Sequence, residues 1–298
     1  GNGMSYQVDG PIVPTIESIY SIMYNNRRDF GTFYEQCLTD NQEILNILEP
    51  FLNYREVDGV REKIYSSNKD YLNRYTIFVN NGGLPYYDNE TGNQVTSATN
   101  VRFFSNYRYT VYLPTNDAMQ QAMNKGLPTW EDIAEYLQID PETGQTTLED
   151  DELQERGPIA AAMVTSLINF LKYHFQDNSV FADTPAIRNT EYETATMDSE
   201  TGVYCKVTVS STGNNTLSIT DHNGTTVNVL DNYKNMLARD YIITGSNNSL
   251  SISASSFAVM HGINGVLNFK NLTNGRYDSD WADKSAAKRF MRKYQIKN

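Results

Sequence analysis

Apolar residues in the first fifty positions recur at helical spacing. Ile16, Ile19, Tyr20 and Met23 follow the i, i+3, i+4, i+7 rule, and Phe30, Phe33, Tyr34 and Cys37 repeat it. A third stripe, Ile44, Leu45, Ile47 and Leu48, is expected to end before Pro50, which cannot donate to a helical ladder. The pattern therefore predicts three short helices ahead of any strand. Period-two alternation takes over in YTIFVN (residues 75–80) and in RFFSNYRYTVYL (102–113), where Tyr107, Tyr109, Val111 and Leu113 share one face. Thr129, with Asp132 three residues on, reads as the N-cap of a helix that buries Trp130, Ile133 and Leu137. An acidic loop, LEDDELQE (148–155), then leads into a helix over 158–175, with Pro158 in its first turn. From about residue 192 to 269 the chain is mostly strands, such as VYCKVTV, TLSITD, TTVNVL, DYIITG and FAVMHGI, separated by turn chemistry like His222-Asn223-Gly224. Helices first and strands later, without βαβ alternation, make the fold class α+β.

The junction TVYLPTNDAM (110–119) joins the two patterns. Pro114 lacks an N–H and pushes Leu113 into an extended conformation, so the strand ends there. Thr115, Asn116 and Asp117 are all N-cap residue types, suited to the orphan N–H groups of a helix carrying Met119, Ala122 and Met123. The expectation is a strand-to-helix corner held by side-chain oxygens, with an anion site at that helix N-terminus as the alternative.

Composition narrows the function classes. The chain has 298 residues, 39% hydrophobic and 20% charged, with 21 Tyr and 12 Phe, a globular composition. A net charge of −12 and a pI near 4.7 repel phosphate backbones and anionic headgroups, so no nucleic-acid partner is expected. Residues 1–14 read as a lead-in or linker. Residues 271–298 read as a basic helical tail, with Lys284, Lys288, Arg289, Arg292, Lys293 and Lys297 on a solvated face. Cys37 and Cys205 sit in unlike patterns and read as two single buried thiols; no metal-ligand spacing occurs. The most apolar run, 159–171, contains Thr165, Ser166 and Asn169 and reads as a core helix. The chain opens on GNGMSYQ, so any export signal is expected to have been removed or never present. The pattern D-x-E-T-G occurs at 88–92, 140–144 and 198–202. A cation loop would need further carboxylates, and a tight turn with glycine in the left-handed position is the expected reading.

Residues 109–119 resemble the first box of fasciclin-like (FAS1) domains. Tyr173-His174 in INFLKYHF resembles that family's Tyr-His box, and AVMHGINGVL (258–267), with His261, resembles its second box. Tyr112 and Leu113 replace the usual Phe and Ala, Met119 the usual Phe, and Asn264 the usual Asp. The resemblance implies a wedge-shaped β core with packed helices over residues 15–270 as a single domain, enlarged by insertions near 80–105, 138–157 and 185–250. It implies adhesion or ligand binding at a cell surface, with a protein or glycan partner, and no cofactor. The insertions and the Tyr- and Asn-rich composition are similar to fasciclin-like surface lipoproteins of Bacteroidetes bacteria, which implies export and a lipid anchor outside this segment. Neither the short acidic-apolar integrin motif of animal members nor Arg-Gly-Asp occurs, and the proline-rich stalk of plant members is missing. Asn214-Asn215-Thr216 and Asn271-Leu272-Thr273 are sequons with meaning only in a eukaryotic secretory route.

On this reading Pro114, Thr115, Asn116, Asp117, Tyr173, His174 and His261 are motif residues with structural and binding roles. His174 ends a core helix, and His261 alternates with Phe257, Val259 and Ile263, so both read as buried rings with satisfied N–H groups. The competing arrangement gathers His174, His261 and Asp117 as an acid–base set. The chain has no nucleophile elbow, Gly-rich phosphate loop or HExxH pattern. A carbohydrate-processing hydrolase or glycan-capture accessory, using acids such as Asp150, Asp151 and Glu152, is the alternative function.

Overall fold

A computed structural model describes residues 17–38, 41–79, 86–87, 94–96, 100–101, 103–104, 108–184, 186–198, 201–246, 249–269, 272–273 and 276–277. The lead-in at 1–14, the six cations of the basic tail and the first D-x-E-T-G copy lie outside these residues.

Helices come first, as the apolar spacing predicts. They are α1 (Ile19–Asn25), α2 (Arg27–Gln36) and α3 (Gln42–Leu52). The Ser18 hydroxyl caps α1 by accepting the Ser21 N–H at 3.1 Å. Helix α3 does not stop before Pro50 but runs through it to Leu52. The missing Pro50 N–H removes only one late bond, and burial of Leu48 and Leu52 holds the last turn against the core.

Next come a hairpin, β1 (Tyr54–Val57) with β2 (Val60–Lys63), and helix α4 (Asn68–Arg74). Asp58 (φ 51°) and Gly59 (φ 77°) both take left-handed backbone at the two-residue turn. Of the strand expected over 75–80, only Phe78 and Val79 are strand among the described residues 75–79. Tyr75 caps α4, and β3 (Phe78–Val79) pairs with β6 (Asn100–Val101). A further short ladder joins β4 (Tyr86–Tyr87) to β5 (Gln94–Thr96).

Of the strand expected over 102–113, Phe103 and Phe104 are in a turn and Arg108–Pro114 form β7, while Tyr107 lies outside the described residues. Helices α5 (Asn116–Asn124) and α6 (Trp130–Tyr136) follow, the latter with the predicted Thr129–Asp132 capping box. Helix α7 (Asp150–Tyr173) begins eight residues before Pro158. The expected acidic loop is its first turns, because Glu149 and Glu152 form a capping box and Asp150, Asp151 and Glu152 sit at the positive end of the helix dipole.

The remaining strands are β8 (Phe175–Asp177), β9 (Thr190–Met197), β10 (Tyr204–Ser210), β11 (Ser218–Thr220), β12 (Thr226–Asn228), β13 (Met236–Ser246) and β14 (Ser249–Ile263), with a short ladder of β15 (Leu272–Thr273) and β16 (Arg276–Tyr277). Eight strands form one sheet in the order β12-β11-β10-β9-β8-β7-β14-β13. All neighbours are antiparallel except β7 and β14, where Tyr112 lies opposite His261 and Pro114 opposite Ile263. The architecture is mixed helix and sheet, in line with α+β.

The sheet curls. An isolated bridge joins Val229, just past β12, to Ile263 at the end of β14, and the Asn264 N–H donates to the Asn228 carbonyl at 3.1 Å. Seven strands thereby wrap toward closure around a cluster of Tyr112, Val207, Val209, Ile219, Val227 and Ile263. Outside the curl, a larger core packs α1, α2, α3, α5, α6 and α7 against Tyr109, Val111, Leu113, Phe175, Ala258 and Met260. Strand β7 therefore faces apolar matter on both sides, and the alternation expected of a one-sided strand holds for each face separately.

The described D-x-E-T-G copies are turns. In each, glycine (Gly144, Gly202) has φ 68° and donates to the carbonyl of the leading aspartate at 2.8 Å. Cys37 is buried, Cys205 half-buried, and both are free thiols.

Gly262 on β14 is a close approach of the sheet to α2 and to the segment before β13. A Cβ there would stand 2.6 Å from Phe30 Cζ and 2.7 Å from Tyr233 Cβ. Gly262→Ala is expected to destabilise the fold by about 1–3 kcal/mol through overpacking. Gly31→Ala in α2 would meet nothing nearer than 3.7 Å. It should be neutral or stabilising by up to ~1 kcal/mol, the helix propensity gain. Urea unfolding of the two variants beside the parent measures the contrast.

Candidate functional site

The three motif segments meet. Strand β7 carries the first, pairs in parallel with β14 carrying the third, and pairs on its other edge with β8, which follows Tyr173-His174 directly. The Tyr112 N–H donates to the His174 carbonyl at 2.9 Å, and the Thr115 N–H to the Ile263 carbonyl at 3.3 Å.

At the corner, Thr115 is the N-cap of α5, its hydroxyl accepting the Ala118 N–H at 3.3 Å. Asn116 does something the sequence did not suggest. Helix α2 breaks at Phe30 (φ −128°, ψ 16°), and the Asn116 side chain fills the break. Its Oδ1 accepts the Thr32 N–H at 2.9 Å, and its Nδ2 donates to the Arg28 carbonyl at 2.9 Å. These are the two groups an unbroken helix would join to each other, so the amide is inserted into the ladder. Asp117 is exposed on the first turn of α5.

Both motif histidines are fully buried with both ring nitrogens engaged. His174 Nδ1 lies 2.9 Å from the Phe170 carbonyl, and Nε2 is 3.1 Å from the Leu267 N–H. Since a carbonyl only accepts and an N–H only donates, the proton of the neutral ring is on Nδ1. His261 is the mirror case: Nε2 lies 2.8 Å from the Val180 carbonyl and Nδ1 accepts the Asn235 N–H at 3.2 Å. Burial brings each imidazole down to about 4, against the opposing pull of the Phe170 carbonyl on one and of the Val180 carbonyl and Asp183 on the other. The His174 ring also packs against Phe33 and Phe170, and His261 stacks on Tyr112.

Tyr173 completes the arrangement. Its hydroxyl donates to the Lys206 carbonyl at 2.6 Å and accepts the His222 N–H at 3.0 Å. Nearby, the buried Asp221 carboxylate accepts three backbone N–H bonds, from Asn223, Thr225 and Asn268, at 2.9–3.0 Å. With His174 on the Leu267 N–H, these bonds fix the segment after β14 across one end of the curl, where Leu267 and Phe269 join the inner cluster.

His174, His261 and Asp117 thus do not form an acid–base set. Each imidazole is bonded on both sides to backbone, and Asp117 makes no part of either network. Asp150, Asp151 and Glu152 are the acidic first turn of α7. Among the described residues three side chains of charged type are buried that the pattern reading missed. Asp221 was foreshadowed by the Asp-x-Asn-Gly turn; Asp240 and Lys172 stood out only as charges inside apolar runs. Asp240 accepts the Ile19 and Val101 N–H groups at 3.2 and 3.1 Å, and burial raises it to about 6. Lys172 donates to the Arg74 carbonyl at 2.7 Å, and burial brings it down to about 7.

Among the described residues, two concavities open to solvent bear on the site. One, of about 170 Å³, lies between α5 and the segment after β14, beside Lys125, Val227 and Gly265. The other, of about 700 Å³, runs between the β1–β2 hairpin and α7. Among the described residues no group of three or more His, Cys, Asp or Glu is placed to hold a metal ion, and no helix is long and apolar enough to cross a membrane. No protein-family model matches the chain, and no curated protein matches it.

Removing the inserted amide should open both halves of α2. Asn116→Ala is expected to destabilise by about 1–3 kcal/mol, the cost of leaving a partly buried donor and acceptor unpaired. Asn116→Asp, which keeps an acceptor for Thr32 but turns a second oxygen toward the Arg28 carbonyl, should not restore the loss; urea midpoints decide. The histidines have a pH signature. Above pH 6.5 both are neutral in folded and unfolded chains, and as pH falls toward 4 only the unfolded chain takes up the protons. Each ring then removes about 1.4 kcal/mol of stability per pH unit. Asp240, with its raised carboxyl, opposes this between about 6 and 4. Imidazole nitrogen NMR should find the two rings neutral down to about pH 4, with opposite tautomers.

Proposed function

We propose that this chain is a non-enzymatic binding module of the fasciclin-like kind, exported and held at a cell surface by an anchor outside this segment, with a protein or glycan partner. One observation carries the reading: the motif residues His174, His261 and Tyr173 are buried and committed to backbone partners, so they build the frame and leave recognition to the exposed surface. A frame sealed by such bonds tolerates long surface segments, and surface segments on a rigid scaffold are where recognition resides.

The hydrolase reading places two carboxyl groups across a cleft at a separation of roughly 5–10 Å. The wider groove has one carboxylate among its lining residues, Glu56, and the narrower has none.

The expected result is retention of the purified chain on extracellular-matrix or polysaccharide surfaces with no release of reducing ends on prolonged incubation. Appearance of reducing ends that tracks protein concentration would replace this reading with the hydrolase; absence of retention on every surface would remove it.

A further inference from the structure

The groove between the β1–β2 hairpin and α7 has the makings of a ligand site, and its chemistry is specific. Its volume of about 700 Å³ suits a ligand of two or three sugar rings. One wall is the hairpin, with Tyr54, Arg55, Glu56, Gly59 and Arg61 among its lining residues. Tyr54 and Glu56 alternate along β1, and Arg61 is the cross-strand partner of Glu56, so all three side chains lie on the same side. The other wall is α7, with Pro158, Ala161 and Ala162, and Phe51 lies flush on Gly157, where a Cβ would stand 2.2 Å from its ring.

Arg61 is the group that singles the groove out. Carboxylates outnumber cations 36 to 24 in this chain. Two of the neighbouring acids are already paired, Glu49 with Lys63 at 2.8 Å and Glu62 with Arg55 at 3.5 Å, and Glu56, across the strand from Arg61, forms no ion pair with it. Among the described residues Arg61 makes no ion pair. Its guanidinium lies 4.6 Å over the Tyr54 ring and donates to the Pro50 carbonyl, one of the orphan acceptors at the end of α3. A planar fork held at two points keeps its other N–H donors for a carboxylate.

We infer that this groove binds an acidic saccharide, with a uronate carboxylate on Arg61, sugar ring faces against Phe51 and Tyr75, and Glu56 accepting from sugar hydroxyls. The inference rests on the binding-module reading above and gives its partner a chemical class. An acidic peptide fits less well. Extended peptides are held by rows of backbone donors and acceptors. Helix α7 keeps its backbone in its own ladder, and the Thr165 hydroxyl is committed to the Ala161 carbonyl at 3.0 Å.

Titration calorimetry and amide chemical-shift mapping with a uronate trisaccharide, the neutral trisaccharide of the same linkage and a hexaglutamate peptide test the assignment. The uronate should bind and shift amides of Ala162 and Thr165. Arg61→Gln should weaken it on the order of tenfold or more, with the neutral sugar weaker by a similar factor. Arg61 is exposed, and urea unfolding of the variant verifies that its fold is kept. Uronate binding that survives both Arg61→Gln and Tyr54→Ala, or hexaglutamate binding as tightly as the uronate, overturns the proposal. So does failure of the uronate to bind; if the chain is still retained on another extracellular surface, the binding-module reading stands without this site, and if it is retained on none, both fall.

Discussion

The parallel pairing of β7 with β14 is the constraint on which the rest of the structure depends. These two strands come from half a chain apart, lie side by side inside the sheet with β8 on one side and β13 on the other, and have apolar neighbours on both faces. A strand buried on both sides cannot slip by one residue without moving an entire row of side chains to the wrong layer. The register that puts Tyr112 opposite His261 therefore fixes which residues meet the helices and which meet the inner cluster. Pairings so distant in sequence carry the loop-closure entropy of the intervening chain, which the contacts on both faces must offset.

Burial on both faces also dictates the polar chemistry. Any donor or acceptor placed between the two apolar clusters must find a partner within the protein. An imidazole suits this because its neutral form offers one donor and one acceptor on opposite sides of a flat ring. His174 links the Phe170 carbonyl at the end of α7 to the Leu267 N–H past β14, and His261 links the Val180 carbonyl to the Asn235 N–H. Each ring thus bridges two segments that share no ladder. Burial keeps both rings neutral, and neutrality keeps one nitrogen of each available as an acceptor, so geometry and protonation support one another.

Much of this was legible from the sequence where one physical signal acted alone. Thr129 and Asp132 formed their capping box because it is local, and the early helices followed their apolar spacing. The strand end at Pro114 and the buried, satisfied state of His261 were legible for the same reason. The misses came where two signals competed. Pro158 suggested a helix start, but the capping pair Glu149–Glu152 and the acidic first turn lay eight residues earlier. Tyr75 read as strand by β propensity and instead closes α4, because Ser67 had already started that helix by accepting the Asp70 N–H. The β1–β2 hairpin went unseen although Asp58-Gly59 is a strong turn signal; its arms are polar and exposed, and periodicity had nothing apolar to register. The insertion of Asn116 into α2 depends on an approach between residues far apart in sequence, which no local pattern encodes.

That hairpin is also where structure and surface chemistry part company. Two strands of four residues are marginal by themselves, and this pair is fastened at its base. Buried Asn53 accepts the Tyr65 N–H at 2.8 Å and donates to the Glu49 carboxylate and the Tyr65 carbonyl, while the Ile64 N–H donates to the Asn53 carbonyl at 2.7 Å. At its tip Val57 and Val60 are left 37% and 60% exposed, so the tip buries little apolar surface of its own. A projection held at one end, with a mixed aromatic and charged face over a groove, contributes little to a core that is already complete beneath it. The motif residues, by contrast, are inseparable from that core. Recognition placed on the hairpin can change without disturbing the sealed sheet; placed on His174 or His261, it could not.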